Sequence, residues 1–427
     1  MAKIKQIVSR EILNSRGDPT IETSVYLNDG TVGTASCPTG TSVGSYEAFF
    51  LTDKDSPRFE GLGVFKAIEG VHSQIAPHLI GMDAEKQQEI DKVMIDLDGT
   101  QNKSRLGANA ILSVSMAVAK AAAKASVLPL FLYLRQFIRK DITNNSSGET
   151  NGLKIPTPLF NLINGGIHTG KTLDFQEFLL IPASSKSFTE SLEIGVDIYR
   201  SLKKILYSME LSILVGDEGG FSPKLKNNQD VFPILREAIE SISLRLDLDV
   251  FFGLDCAASS FFKDRKYFIK DVPQSLSATE LMSYYETLNK KQHFLYIEDP
   301  LAQDDWESWS QLTARMSETS IIAGDDLTAT NPYRLSMALN KKAITGIVIK
   351  PNQIGTVIEA MAVAQIARQA GLKIIVSHSS GESNDDFIVD FAVAVSADYV
   401  KFGAPARGER VAKYNRLLQI ENQIKAL

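Results

Sequence analysis

Short apolar runs alternate with amphipathic stretches through the last two-thirds of the chain. The runs lie at 175–182, 211–216, 250–254, 294–297, 320–323, 346–349, 372–376 and 398–402. Helix signals separate most of them, such as the capping box of Ser277 with Glu280. A strand followed by a helix, repeated about eight times over about 270 residues, predicts a (β/α)8 barrel. An open doubly wound sheet is the alternative, and residues 155–172 break the rhythm, so the first units are expected to be irregular.

A different pattern precedes the barrel region. Strand-like segments come first, at 4–13, 20–27 and 31–36. An alanine-rich helical stretch at 104–124 follows them, and strands followed by helices predict a small α+β domain. Residues 141–154 are polar and rich in Asn, Ser, Gly and Thr, which is typical of a linker. We therefore predict an N-terminal α+β capping domain at 1–140 and a catalytic β/α barrel domain at 155–427.

The composition narrows the class of protein. The net charge is −6, with 45 basic and 51 acidic residues well mixed, so a nucleic-acid partner is not expected. The two cysteines, Cys37 and Cys256, exclude a disulfide scaffold and a cysteine-type zinc site, and they favour a reduced, cytoplasmic setting. No apolar run is long enough for a membrane span and the N-terminus does not resemble a signal peptide, so no membrane partner is expected.

Polar side chains follow the ends of the apolar runs, where a barrel places its catalytic groups. In chain order they are Asp217, Glu218, Asp255, Glu298, Asp299, Asp325, Asp326, Lys350, His378 and Lys401. Turns favour Asp in any protein, so one such residue would indicate little. Carboxylates, lysines and a histidine at successive run ends, about one strand-plus-helix unit apart, instead predict an active site at one mouth of the barrel.

These residue types suit one kind of chemistry. Asp255, Glu298 and Asp325 offer hard oxygen ligands, which fit magnesium better than zinc in a chain without clustered Cys or His. Lys350, beside a metal and a second lysine, is expected to lose proton affinity and to act as a base. Glu218 is expected across the barrel, where its carboxyl group would assist departure of an oxygen leaving group. Metal ions would stabilise the enolate formed in between.

Motifs over nearly the full length carry a family resemblance. They include REILNSRGDPTIE (10–22), SRLGANAILSVSMAVAKAAA (104–123), NGGIH (164–168), GDEGG (216–220), IEDP (297–300), GDDLTATN (324–331), SHSSGE (377–382) and KFGAPARGER (401–410). Together they make the chain resemble the enolase (phosphopyruvate hydratase) family. The resemblance implies reversible, magnesium-dependent dehydration of 2-phosphoglycerate to phosphoenolpyruvate in glycolysis and gluconeogenesis.

Position by position, the resemblance implies a role for each matching residue. The implied ligands of one Mg²⁺ are Asp255, Glu298 and Asp325. Ser42 is the implied ligand of a second Mg²⁺ that arrives with substrate. Lys350 is the implied base at C2, and Glu218, with Glu177 beside it, is the implied acid that assists loss of the C3 hydroxyl. The remaining catalytic and substrate-binding positions are His168, His378, Gln176, Ser379, Ser380 and Lys401.

The most important departure from the family pattern lies at Ser379. The family has Arg directly after the histidine of the SH-R-SGE motif, where it holds the substrate phosphate, and this chain has Ser379. A hydrogen bond to a charged group is worth about 1.5–3 kcal/mol, so its loss would weaken binding roughly 10- to 150-fold. Two alternatives to an active enolase therefore stay open. One is a paralogue with weakened catalysis that acts mainly as a binding or surface protein, and the other is a different superfamily reaction on another carboxylate.

The resemblance also implies the protein's partners and location. The expected substrate is a small phosphorylated carboxylate, and the expected assembly is a homodimer or an octamer. The expected location is the cytoplasm, with an additional cell-surface or secreted pool.

Overall fold

An antiparallel sheet covered by helices forms the first part of the fold. The computed structural model describes residues 2–40, 46–138, 153–170 and 172–426, without the side chains of Ile167 and His168. The strands are β1 (Ile4–Leu13), β2 (Pro19–Leu27) and β3 (Val32–Ser36), and their order in the sheet is the same as their order in the chain. The helices are α1 (Phe65–Gly70), α2 (Ala76–Leu79), α3 (Gln87–Asp98), α4 (Ala108–Ala125) and α5 (Leu130–Arg135). The ends of the three strands and the end of α4 lie within about one residue of the predicted segments. Helix α4 begins four residues later than the predicted helical stretch at 104–124.

Helix α4 is buried along most of its length because its small residues allow close packing against the sheet. Gly33 in β3 shows how close the two backbones come. A Cβ atom at Gly33 would lie 2.2 Å from the carbonyl oxygen of Ala117 and 2.3 Å from the amide nitrogen of Ala121. The alanine-rich composition that predicted this helix therefore also determines how it packs.

A second, mostly parallel sheet forms the barrel. Its strands and an attached hairpin are β4 (Thr157–Pro158), β5 (Phe160–Asn164), β6 (Glu177–Pro182), β7 (Val250–Asp255), β8 (Phe262–Lys263), β9 (Lys266–Tyr267), β10 (Tyr296–Glu298), β11 (Ile321–Gly324), β12 (Gly346–Ile349), β13 (Lys373–Ser377) and β14 (Tyr399–Lys401). The sheet order is β4-β14-β13-β12-β11-β10-β7-β6-β5. Because β4 and β5 are separated in sequence by Leu159 alone, the two ends of this order meet and nearly close the barrel. The predicted barrel is confirmed, and the open doubly wound sheet is wrong.

Helices connect the barrel strands and follow the last of them. They are α6 (Phe188–Ser208), α7 (Val231–Glu240), α8 (Ala278–Gln292), α9 (Trp306–Met316), α10 (Pro332–Asn340), α11 (Val357–Gln369), α12 (Phe387–Ala394) and α13 (Gly408–Lys425). The predicted caps are present: Ser277 and Glu280 form the capping box of α8, and the Asn331 side chain accepts from the first turn of α10. None of the helices in the described ranges combines the length and apolar character needed to cross a bilayer.

The first units of the barrel are irregular, as the sequence predicted. Strand β5 leads directly into β6, which is antiparallel to both of its neighbours, and α6 and α7 both precede β7. The predicted strand at 211–216 is wrong, because this segment lies outside the barrel sheet and Val215 forms only an isolated bridge with Phe221. Leu214 in this run is 76% exposed. An apolar run alone does not reveal whether its side chains will be buried.

Apolar side chains fill the barrel interior below the polar mouth. They include Leu179, Ile181, Tyr296, Val348 and Ile375, all fully buried. Packed barrels of this kind have no central pore, so their chemistry is confined to the loops and strand ends at one face.

Candidate active site

Three carboxylates lie side by side at the mouth of the barrel. Glu177 pairs in register with Asp255 across β6 and β7, and Glu298 pairs in register with Asp255 across β10 and β7. Parallel β7 and β10 end at this edge, whereas antiparallel β6 begins there. Residues in register on neighbouring strands share a face of the sheet, so the three side chains converge. All three are buried, and burial and Asp255 raise the pKa of Glu298 to about 8.

Lys401 is the last residue of β14, which is not a neighbour of β6, β7 or β10 in the sheet. Its side chain nevertheless reaches the carboxylates of those three strands. Its Nζ lies 2.9 Å from Asp255 Oδ2, 2.7 Å from Glu298 Oε1 and 3.4 Å from Glu177 Oε2. Burial acts to lower the pKa of Lys401, but the surrounding carboxylates outweigh it and hold the pKa well above the ordinary value. Lys401 therefore remains a cation that balances the charge of the acidic cluster.

A second ion pair joins the ends of β11 and β12. Lys350 Nζ lies 2.5 Å from Asp325 Oδ2, and Gln353 Nε2 donates to Asp325 Oδ1 at 2.9 Å. Burial acts to lower the pKa of Lys350, but the Asp325 carboxylate outweighs it and the pKa lies above the ordinary value. The sequence predicted a lowered proton affinity for Lys350. The direction is opposite in this structure because Asp325 is bound directly to the ammonium group.

Glu218 faces the cavity from the loop between α6 and α7. Asn161 Nδ2 donates to Glu218 Oε2 at 3.1 Å, and His378 Nε2 lies 3.7 Å from the same oxygen. Burial and the nearby Glu218 raise the pKa of Glu177 well above its ordinary value. Two neighbouring buried carboxyl groups resist joint ionisation, so this pair tends to retain a proton. Gly220 makes the approach of the loop feasible, since a Cβ there would lie 2.7 Å from Asn161 Oδ1.

The loop after β13 brings three predicted residues to the mouth. His378, Ser379 and Ser380 are all buried. Ser379 Oγ donates to Asn352 Oδ1 at 3.1 Å, and the Ser379 amide donates to Glu382 Oε1 at 3.1 Å. The side chain where the family has a cation is thus a neutral hydroxyl held in the cavity wall.

These groups line a small cavity that opens to solvent. The predicted residues in its wall are Gln176, Glu177, Glu218, Asp255, Asp325, Lys350, His378, Ser379, Ser380 and Lys401. Glu298 lies beneath the wall, where the Tyr296 hydroxyl donates to its Oε2 at 2.6 Å. Within the part of the chain that the structure describes, the wall contains Lys350 and Lys401 but no arginine.

Two predicted residues cannot be placed in this cavity. Ser42 lies outside the described residues, and so does the side chain of His168. The backbone of His168 belongs to the short 3-10 turn Gly166–Thr169 after β5. The backbone of this turn lies close to Gln176, because a Cβ at Gly166 would be 3.3 Å from Gln176 Cα.

Several residues that shape the site were not predicted from the sequence. Gln353 donates a hydrogen bond to Asp325, and Asn161 donates one to Glu218. Arg410, which lies on α13, contacts His378. Gln353 follows a strand-end lysine by three positions, which was an available signal. Asn161 lies in the irregular segment that matched no repeat and had no local signal. Arg410 is the last residue of the KFGAPARGER motif (401–410), but nothing local in the sequence linked it to His378.

The acidic groups fit a divalent metal by their chemistry. Asp255, Glu298 and Asp325 come from adjacent strands β7, β10 and β11, all offer hard oxygen donors, and lysine ammonium groups balance their charge in this structure. Such donors suit Mg²⁺. Among the described residues, the donor sets with atoms within 4.8 Å of one another are Asp299, Asp325 and Asp326, and Glu177, Glu218 and His378. The predicted ligand trio of Asp255, Glu298 and Asp325 is not one of these sets, and its ligand role stays a prediction.

Comparisons with known proteins agree over the whole chain. A family model described as the enolase N-terminal domain matches residues 4–134, and one described as the enolase C-terminal TIM barrel domain matches residues 152–426. The chain is 45% identical over 424 residues to a protein named Enolase from Acidothermus cellulolyticus, covering 99% of this chain and 95% of the relative. A protein named Enolase from Bdellovibrio bacteriovorus is also 45% identical over 424 residues, covering 99% of this chain and 97% of the relative.

Proposed function

Because the chain belongs to the enolase family, we propose that Lys350 and Glu218 carry out the two proton transfers of its reaction at the barrel mouth. The protein is a magnesium-dependent hydro-lyase that interconverts 2-phosphoglycerate and phosphoenolpyruvate plus water in glycolysis. One observation supports the assignment of roles. The Lys350 amine, which is paired with Asp325, and the Glu218 carboxyl group, which lies beside His378, line the same cavity.

Lys350 is the proposed base that removes the proton from C2. Asp325, Asp255 and Glu298 would hold Mg²⁺, which when bound stabilises the negative charge that develops on the substrate carboxylate. If Asp325 binds Mg²⁺, its negative charge would be shared with the metal and would stabilise the Lys350 ammonium less. Burial beside the Lys401 cation would then lower the pKa of Lys350 towards a value suited to a base.

Glu218 is the proposed acid that protonates the leaving C3 hydroxyl. Glu177 supports this role, because its raised pKa lets the pair keep a proton in a buried site. The resulting water leaves through the open cavity. Gln176, His168, Ser380 and Lys401 are the proposed substrate contacts, and a second Mg²⁺ bound through Ser42 is proposed from the family resemblance.

The metal requirement provides the direct test of this proposal. Purified protein supplied with 2-phosphoglycerate and Mg²⁺ is expected to show growing phosphoenolpyruvate absorbance, and a chelator is expected to abolish it. Glu298→Gln keeps the side-chain size and an acceptor for Tyr296 but removes the charge, so the Mg²⁺ concentration for half-maximal rate is expected to rise by at least 10- to 100-fold. A titration of rate against Mg²⁺ measures this shift.

Glu286→Gln is the matched control, because Glu286 pairs with Arg315 on the helices around the barrel. Its Mg²⁺ requirement is expected to equal that of the wild type. Absence of turnover at millimolar substrate and saturating Mg²⁺ would contradict the function. An unchanged Mg²⁺ requirement in Glu298→Gln would contradict only the ligand role.

Ser379 determines the expected strength of substrate binding. Ser379→Arg would place a guanidinium in a cavity wall that has no described arginine, and the KM for 2-phosphoglycerate is expected to fall about 10-fold or more. Ser379→Ala, which removes the hydroxyl without adding charge, is the control and should leave KM nearly unchanged. Steady-state kinetics measure both, and an unchanged KM in Ser379→Arg means that the phosphate does not lie against this residue.

Assembly, location and domain division remain parts of the proposal. A homodimer or octamer is proposed from the family resemblance alone. A cytoplasmic location is supported by the glycolytic reaction. Domains at 1–140 and 155–427 are supported by the separate family matches to 4–134 and 152–426.

A further inference from the structure

We propose that Arg410 is a positioning residue that fixes the ring of His378 with its proton on Nε2, and thereby aims an N–H group at Glu218. The catalytic meaning of this arrangement rests on the proposed role of Glu218. The tautomer itself follows from the contacts of Arg410 and can be measured without turnover.

Arg410 lies in the first turn of α13 and is fully buried. Its Nη1 donates to the carbonyl oxygen of Ser379 at 2.9 Å and also contacts His378 Nδ1. Its Nη2 donates to the carbonyl oxygens of Ser380 at 2.7 Å and Asp217 at 3.2 Å. One planar guanidinium therefore joins the loop that carries His378 to the loop that carries Glu218.

The contact with Arg410 determines which nitrogen of His378 carries the proton. A guanidinium has donors and no acceptor, so His378 Nδ1 must accept and cannot carry a hydrogen. The proton of the neutral ring then lies on Nε2, which is 3.7 Å from Glu218 Oε2. Burial and Arg410 lower the pKa of His378 to about 3, which keeps the ring neutral near pH 7.

His378 Nε2 is buried and has no hydrogen-bond partner among the described residues. A buried donor without a partner is costly, and a functional site can retain one for a ligand atom that is bound later. The distance to Glu218 is too long for a direct hydrogen bond. A substrate oxygen or the released water between the two groups would supply the missing acceptor.

The surrounding packing holds this arrangement in place. A Cβ at Gly403 would lie 2.6 Å from the Glu218 carbonyl oxygen and 3.1 Å from both Arg410 Cδ and His378 Cε1, so a larger residue there would crowd this arrangement. One turn further along α13, Lys413 pairs with Glu382 Oε2 at 2.9 Å. Glu382 Oε1 in turn accepts from the Ser379 amide at 3.1 Å. Two buried cations of one helix thus secure the loop, and Arg410 is the one that contacts the histidine.

This tautomer assigns separate tasks to the groups in the cavity. With Nε2–H directed into the site, His378 can donate a hydrogen bond to Glu218 or to the leaving oxygen. It cannot accept the C2 proton, because its remaining lone pair is occupied by Arg410. Proton removal is thereby left to Lys350.

Nitrogen NMR of wild-type protein labelled with ¹⁵N-histidine tests the proposal, and His378→Asn identifies the His378 signals by subtraction. The expected spectrum has a protonated Nε2 and an unprotonated Nδ1. A protonated Nδ1 in the wild type overturns the proposal. Because this spectrum needs no substrate, an inactive protein with the expected tautomer would contradict the proposed function and leave the inference standing.

Variants then separate positioning from general stability. Arg410→Met is expected to give mixed His378 tautomers and a kcat about 10- to 100-fold lower, and Arg410→Lys, which keeps one donor, is expected to restore part of both. Arg416→Met removes an arginine of the same helix that pairs with Asp390, so it should change neither. A wild-type tautomer in folded Arg410→Met overturns the proposal. If that variant does not fold, a wild-type tautomer ratio in Arg410→Lys together with lost activity overturns it instead.

Discussion

Replacement of Lys350 by alanine is expected to lower kcat by about 10²- to 10⁴-fold, the usual contribution of a positioned general base. Lys350 is one of the two lysines in the described wall of the cavity. The other, Lys401, is held by Asp255, Glu298 and Glu177 and has a strongly raised pKa. Lys401 is therefore a poor substitute as a base. The measurement is turnover of 2-phosphoglycerate together with exchange of its C2 proton with deuterated water, followed by proton NMR.

Both readouts should fall together in Lys350→Ala, because dehydration cannot proceed without removal of the C2 proton. Lys342→Ala, at an exposed lysine after α10, is the matched control and should keep both rates. Exchange at the wild-type rate in folded Lys350→Ala would show that another group removes the proton.

Replacement of Glu218 by glutamine is expected to separate the two proton transfers. The glutamine side chain keeps the size and an oxygen acceptor for Asn161 Nδ2, but it cannot deliver a proton to the leaving hydroxyl. Dehydration should therefore fall by about 10²- to 10⁴-fold, while exchange of the C2 proton continues through Lys350. The same pair of measurements, turnover and deuterium exchange, reports on both steps.

Glu193→Gln, at an exposed position of α6, is the control for the loss of one carboxylate and should leave both rates intact. Equal loss of exchange and dehydration in Glu218→Gln would contradict the acid role. Glu218 would then act before the C2 proton is removed, through substrate binding or through the arrangement of Glu177 and His378.

Local sequence patterns were sufficient for most of the architecture. The strand-plus-helix repeat predicted the barrel, and the spacing of Asp255, Glu298, Asp325, Lys350 and Lys401 predicted that they would lie at strand ends. Both inferences succeed because carboxyl ends of parallel strands meet at one edge of a sheet, whatever the intervening helices contain. The family resemblance added the reaction, which the spacing alone left open.

Contacts between distant segments decided the rest. Burial of an apolar run depends on its neighbours, so 211–216 became a partly exposed loop, and its place in the barrel went to the segment that matched no repeat. Which carboxylate pairs with Lys350 or Lys401 depends on side-chain positions that differ by only a few ångströms. Buried charges interact strongly over those distances, so the direct contact with Asp325 sets the direction of the Lys350 pKa. The contact between Arg410 and His378 also depends on the tertiary structure. Packing of α13 brings the two side chains together, and no local periodicity predicts it.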